Sequence, residues 1–481
     1  MRRILIRSIQ VLLVCGSLLP ACQKWDDHHA ITDPATDKDL FQQIEARSNL
    51  SKFRELLVKS GYDKVIASSK TFTVFAPTDA ALSNLDPAVV NNDAKLKMFV
   101  ANHITNQSHK TGEATAPVRL QMLSEKYTTL KGKLLEDATI TEADRYARNG
   151  VLQVIDKAVP ALQNIWEFIE SDPLAPAVQR SYFLSLFGNV YDTTNAVQIG
   201  VDPNTGEPIY QPGTDSVRTN AFWRSVYDLR EEKKQYTVFL LNDNAWATEI
   251  GNYIPLFKSG GADTSIRLAS WNVLRDCAIE GAYDANTLPD TVLSRYNTKV
   301  GIDKSQIERT IKTSNGTIFI MKKLNVRPVD KFTPIVIQAE NYQTVSHDRR
   351  NNTYFRDRIT PSTGKGFRDV LVYNHGVALF NLGYRLSGLP TIKYKAYWVA
   401  LHDNINGSST TFQQKLGIGT ATSTLLPYVT VGLNNYDEVY LGEFPINTYT
   451  ATTMIYLTAA NSTAALTNTI VCDYIKLVPV L

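Results

Sequence analysis

Two related α+β modules followed by an all-β sandwich are what the 481 residues of this chain predict. Three observations carry that expectation. Thr73-Val74-Phe75 runs into Ala76-Pro77-Thr78-Asp79-Ala80-Ala81-Leu82, and Thr237-Val238-Phe239 runs into Leu240-Leu241-Asn242-Asp243-Asn244-Ala245-Trp246. At nearly equal distance beyond each stands an Asn-Gly hairpin signal, Asn149-Gly150 and then Asn315-Gly316. A pair of landmarks that recurs at constant separation marks a duplication. After Lys323 the texture changes to short apolar alternations rich in Thr, Asn and Gly, with little helical period.

The N-terminus reads as a secretion signal over residues 1–21. Arg2, Arg3 and Arg7 give a basic start, and Val11-Leu12-Leu13-Val14-Cys15 continues an apolar core too short to span a bilayer. It ends in Leu19-Pro20-Ala21-Cys22. A small residue before Cys, with Leu three positions upstream, resembles the lipobox of bacterial lipoproteins. The resemblance implies that Cys22 is acylated and anchors the chain to a membrane without crossing it; the alternative is an ordinary signal peptide with a chance Cys. Residues 22–36 form a polar tether. Its early acids, Asp26 and Asp27, resemble the surface-export pattern of Bacteroidetes lipoproteins, which implies a surface-exposed place on the outer membrane. A merely solvated linker is the alternative.

Processing changes the charge. Residues 1–21 hold three of the 50 basic residues and no acid, so 47 basic then face 47 acidic residues. No basic field remains for nucleic acid, and no polybasic stretch for anionic lipid. Cys277 and Cys472 are distant in sequence and read as two buried free thiols, with an interdomain disulfide as the alternative.

The first module spans about 37–161. Phe53, Leu56 and Leu57 share one helical face, and Gly61 is placed to end that helix. Thr71 to Phe75 is a strand, Pro77 stops it, and Thr78 and Asp79 suit the start of a following helix. Asn149-Gly150 opens the strand Val151 to Ile155. These residues resemble the fasciclin domain family. Thr73 through Ala80 fits its first signature, and Asn149-Gly150-Val151 with Val154-Ile155-Asp156 fits its second. Asn102-His103 stands where the family often has Tyr-His. The resemblance implies a seven-stranded β-wedge with helices alongside, and adhesion or protein-interaction roles. The receptor-binding role of the Tyr-His region does not carry over, because the Tyr is absent. His103 reads as a packed, hydrogen-bonded residue.

The second module, about 162–329, is more diverged. Tyr236 to Asn244 keeps the strand and turn without the Pro, and Cys277 to Gly281 stands at the middle motif without a His. A long insertion upstream of Tyr236 includes Val201 to Pro208, which is turn chemistry throughout and predicts an exposed loop, for binding or as decoration.

The third block, 332–481, predicts a β-sandwich from regular short strands. Ile337-Gln338-Ala339-Glu340-Asn341-Tyr342 and Asp473-Tyr474-Ile475-Lys476-Leu477 resemble the opening and closing strands of family 6 and 35 carbohydrate-binding modules. The resemblance implies a galactose-binding-like jelly roll in which a structural calcium lies between first and last strands. Gln338, Glu340 and Asp473 would be its ligands; acids bonded to strand-end backbone, with no metal, are the alternative. It also implies glycan binding through loop aromatics and amides, for which Tyr373, Asn374, His375 and Asn468 are the candidates. Asn468 is displaced from the place where the family has its Asn. Trp398 lies mid-strand and reads as core.

Catalytic signals are missing. The seven His are scattered without zinc spacing, and there is no Gly-x-Ser-x-Gly elbow or phosphate loop. Glu231-Glu232-Lys233-Lys234 reads as a solvated face. The expectation is therefore a non-enzymatic, lipid-anchored surface protein. It would meet glycan through the sandwich and surface or outer-membrane proteins through the modules. An accessory subunit without sugar binding is the first rival, and a polysaccharide hydrolase the second.

Overall fold

A computed structural model describes residues 37–113 and 116–481. The signal, the tether and Cys22 lie outside the described residues. Among the described residues, no helix is long and apolar enough to cross a membrane. Packing divides the chain into two compact units. The first holds the described residues up to Phe168 with Arg230–Gln235 and Lys312–Gly316; the second holds Ile169–Leu229, Tyr236–Ile311 and Thr317–Leu481.

The first unit is built on seven strands: β1 Phe72–Pro77, β2 Ile104–Thr105, β3 Val118–Gln121, β4 Tyr127–Lys131, β5 Leu134–Leu135, β6 Ala138–Ala147 and β7 Gly150–Ile155. Their order in the sheet is β2-β1-β7-β6-β5-β4-β3. β1 runs parallel to β7, from Phe72 opposite Gly150 to Pro77 opposite Ile155. All six residues of β1 are buried, which is why the strand reads as nearly continuous apolar sequence. Val74 joins the helix-side core with Phe53, Leu56 and Leu57, whereas Phe75 joins a second core with Leu120, Leu135 and Ile155. Each such side chain contributes about 1.5–3 kcal/mol by leaving water. Gly150 is required in this pairing, because a Cβ there would stand 1.9 Å from the Phe72 carbonyl oxygen.

Helix Ser51–Ser60 ends as expected, at Gly61 in the left-handed region. The helix expected at Thr78 does not form, and the chain passes through turns until Pro87. Asp79 caps a different helix: its carboxylate accepts from Ser51 Oγ (2.6 Å) and Lys52 N (2.8 Å) at the start of Ser51–Ser60. Nor is Glu232 solvated. Its carboxylate accepts from Lys126 Nζ (2.6 Å), Asn164 Nδ2 (3.1 Å) and Ser314 Oγ (2.7 Å) within the first unit.

The insertion is a β-ribbon, and the exposed loop expected at Val201 to Pro208 is its tip. β8 Phe187–Tyr191 pairs with β11 Ser216–Asn220, and β9 Gln198–Val201 pairs with β10 Pro208–Tyr210. The turn chemistry is confined to the tip, where Asp202 Oδ1 accepts from Asn204 N (2.7 Å). Tyr191 and Ile199 are 70% and 61% exposed.

The second module's sheet comprises β12 Tyr236–Leu241, β13 Ala278–Glu280, β16 Ile307–Thr313 and β17 Gly316–Met321, in the order β13-β12-β17-β16. β14 Thr291–Leu293 and β15 Lys299–Gly301 form a separate hairpin. Here the landmark does lead into a helix, Asp243–Tyr253, capped by Asn242 onto Ala245 N (2.9 Å). Cys277 and Cys472 are buried and unpaired.

The sandwich holds twelve strands: β18 Ile335–Gln338, β19 Thr344–Val345, β20 Thr353–Ile359, β21 Gly366–Val372, β22 Asn381–Ser387, β23 Lys393–Val399, β24 Phe412–Ile418, β25 Val429–Val431, β26 Val439–Pro445, β27 Thr452–Ala459, β28 Ile470–Cys472 and β29 Tyr474–Val480. They form sheets β18-β29-β23-β26, β19-β22-β27-β24-β25 and β20-β21-β28. Period-2 alternation sends Tyr394, Ala396 and Trp398 of β23 inward to meet Tyr384, Phe444 and Ile475. The second unit also joins module to sandwich. Thr391 Oγ1 donates to Pro255 O (2.6 Å), Tyr449 N donates to Lys258 O (2.6 Å), and Phe257 packs between Phe332 and Tyr449.

Candidate binding sites on the sandwich

Two places on the sandwich gather the side chains singled out from sequence. At one loop end, β21 runs out into Tyr373, Asn374 and His375, beside the segment that carries Asn468. Four asparagines here (374, 404, 406 and 434) hold left-handed backbone, which Asn tolerates better than most residues. Asn374 is exposed, and its carbonyl accepts from Asn352 Nδ2 (2.9 Å). Tyr373 is half-buried, and its hydroxyl accepts from Asn406 Nδ2 (2.9 Å).

The other two candidates turn inward. His375 is buried against Phe380. Val377 N donates to its Nδ1 (3.3 Å), so Nε2 carries the proton toward Asn468 O at 2.6 Å. Burial pushes its pKa down. Asn468 is fully buried, with neither Oδ1 nor Nδ2 hydrogen-bonded. The four residues are therefore neighbours, but only Tyr373 and Asn374 are open to a ligand.

The second place is a crease. The closing strand bends at Asp473, leaving β28 in the small sheet with β21 and sending β29 between β18 and β23. Gln338 lies opposite Tyr474, Ala339 N donates to Asp473 O (2.8 Å), and Asp473 N donates to Val399 O (2.8 Å). A cleft of about 400 Å³ opens along the crease, lined by Gln338, Lys365, Phe367, Arg368, Asp473 and Lys476 among others. Asp473 is only 7% exposed. Its carboxyl is pushed up to about 6, first by burial and then by the Glu340 and Asp369 carboxylates, against the pull of Lys365. Glu340 Oε2 is buried with no hydrogen-bond partner.

These features bear on calcium. Two neighbouring carboxylates, one with an orphaned oxygen, suit a hard cation that takes oxygen ligands. The third acid nearby, Asp369, is occupied: Arg356 donates to it twice (2.8 and 2.5 Å) and reaches Asp403 (2.8 Å) as well. Among the described residues no group of three or more His, Cys, Asp or Glu is arranged to hold a metal. The donor set on offer is thus Glu340, Asp473 and the amide of Gln338. Neither Arg356 nor the crease cleft was legible beforehand, because both depend on pairings across the sheet.

No curated protein matches the chain. Among solved structures, the FAS1 domain pair of the insect cell adhesion molecule Fasciclin I is 14% identical, with 59% of this chain and 99% of that one covered and a TM-score of 0.24. A family 35 carbohydrate binding module from Clostridium thermocellum is 14% identical over 31% of this chain and all of its own, with a TM-score of 0.22. CsCBM6-3 from Clostridium stercorarium, solved in complex with cellobiose, is 16% identical over 30% of this chain and 94% of its own, with a TM-score of 0.19. The fasciclin domain family matches residues 48–160, the stretch that carries β1 to β7.

Proposed function

We propose that this chain is a lipid-anchored surface binding protein, fastened through Cys22 to the outer membrane of a Bacteroidetes-type cell. The sandwich engages glycan and the fasciclin-like modules act as spacer and protein-contact units. The observation that carries the reading is the crease cleft, which joins Phe367 as an apolar wall to Gln338, Lys365 and Asp473 as polar groups. An apolar surface beside a few convergent polar groups is the make-up of a small-ligand site. A carboxylate and an ammonium on one wall accept from and donate to sugar hydroxyls. Calcium, if held by Glu340 and Asp473 with Gln338, supplies a fixed positive charge that further hydroxyls can ligate.

Glycan-array binding by the full chain, with and without calcium, tests this. Binding that weakens in Asp473→Asn supports it. Silence across plant, host and microbial polysaccharides in both conditions sinks the glycan reading.

One observation favours a second reading, an accessory subunit of an outer-membrane assembly. The ribbon β8–β11 exposes Tyr191, Val197, Ile199, Val201, Ile209 and Val217. An isolated two-stranded ribbon is marginal in water, so a covering partner would stabilise it. Co-purification with a transporter that is lost when Ile199 and Val201 become Ser is the result this reading expects.

A further inference from the structure

We propose that Lys331 and Asp276 are joined by an intramolecular amide bond that fastens the second module to the start of the sandwich. Lys331 closes the short helix Pro328–Lys331, just ahead of the sandwich, and Asp276 follows helix Ala262–Leu274. Both belong to the second unit. Their side chains are 1% and 0% exposed, and Nζ stands 2.7 Å from Oδ2. Among the described residues, the lysine is the only donor within hydrogen-bond distance of Oδ2. The other groups are held. Ser294 Oγ donates to Asp276 Oδ1 at 2.5 Å, Nζ donates to the Asn272 carbonyl, and the ammonium sits 4.7 Å from the centre of the Tyr253 ring. Arg275 Nε reaches Oδ2 only at 3.8 Å.

Burial pulls the lysine pKa down although the carboxylate opposes that. One proton passing from Nζ to Oδ2 turns the ion pair into an amine and a carboxylic acid. The amine lone pair then attacks Cγ, and negative charge gathers on Oδ1, where Ser294 donates. The Cγ–Oδ2 bond breaks as nitrogen gives up a second proton. Oδ2 departs with both protons as water, and one N–H remains on the amide. Glu249 lines the same small cavity as Lys331, and the proposal assigns it the second proton. The oxygen that leaves is the one that faces only the lysine. The oxygen that stays keeps Ser294, and the remaining N–H keeps the Asn272 carbonyl. No oxidant or co-reactant is needed. The link closes a loop in the path between anchor and sandwich, where an adhesive protein bears load.

Peptide mapping of the purified full chain under denaturing conditions tests this. Trypsin should yield residues 276–295 and 324–349 as one branched species, lighter by one water than the two peptides together. Lys331→Met should release residues 276–295 as a free peptide. Glu249→Gln should slow appearance of the branched species in freshly made protein. Recovery of residues 276–295 and a chain cleaved after Lys331 as separate peptides from the unmodified sequence would overturn the link. That readout does not depend on any variant folding.

Discussion

At the end of helix Asp93–Ala101, Asn102 and His103 hold the segment that leaves the first module. Asn102 Nδ2 donates to Val159 O (2.9 Å), and Val159 N donates to His103 Nε2 (3.0 Å). Asp276 and Cys277 stand at the matching positions of the second module. The match is close: His103 O accepts from Phe75 N, and Cys277 O from Phe239 N, both at 2.8 Å. A serine donates to the side-chain oxygen in each case, Ser124 to Asn102 (2.7 Å) and Ser294 to Asp276 (2.5 Å). His103 Nδ1 bonds Phe99 O, and Cys277 Sγ bonds Val273 O, each four residues back. What differs is the grip on the exit. An amide holds a backbone carbonyl in the first module, whereas in the second a carboxylate meets the Lys331 ammonium, the pair from which the proposed link forms. The position demands a buried acceptor and a hold on the departing chain. A neutral partner lets that acceptor be an amide, and a cationic partner requires an acid.

The largest effect is expected where charge is buried. Asp276→Ala removes the proposed link together with the carboxylate that faces the buried Lys331 side chain, and should cost at least about 3–5 kcal/mol in urea unfolding of the full chain. A cost below that of Asn102→Ala would break the comparison.

His103 gives the next largest effect, through pH. Burial lowers its pKa from 6.5 to about 4. The folded form therefore binds its proton less readily than the unfolded form. Its contribution is complete above about 6.5 and is lost as pH falls from there through about 4. That gap corresponds to roughly 3 kcal/mol. The loss should appear as the difference between the native and His103→Gln unfolding profiles from about pH 7 to 4.5, because Asp473, pushed up to about 6, contributes a slope of opposite sign to both. Cys277, held un-ionised by burial, contributes no such slope in that range.

Asn102→Ala should cost about 2 kcal/mol, because it leaves the Val159 carbonyl and the Ser124 hydroxyl without their bonds. A Gln at the same position, too long for the site, should recover little of that loss. Asp473→Asn should cost no stability and should raise it at neutral pH, because it removes a buried carboxylate whose charge is opposed by burial and by Glu340 and Asp369.

Legibility from sequence follows the range of the interactions. β1, β12 and the two Asn-Gly hairpins were readable because period 2 and turn chemistry are local. The helix expected at Thr78 does not form, because Asp79 serves a helix 27 residues upstream at Lys52. The grip of Asn102 on Val159 spans 57 residues and left no local mark. In the insertion, the turn residues Asp202 to Gly206 hid the short pairings on either side of them. On the sandwich, Trp398 was placed in the core by its neighbours' alternation, and it is buried. The burial of His375 and Asn468 depends on how two distant loops close over each other.

Contact through the crease is best tested by equilibrium binding of the full chain to the polysaccharide that gives the strongest array signal. Native protein would be compared with Asp473→Asn and Tyr373→Ala. Asp473→Asn should lower affinity at least about tenfold, near 1.4 kcal/mol, while Tyr373→Ala changes it little. Unchanged affinity in Asp473→Asn, with loss in Tyr373→Ala, would contradict the crease and move recognition to the loop end.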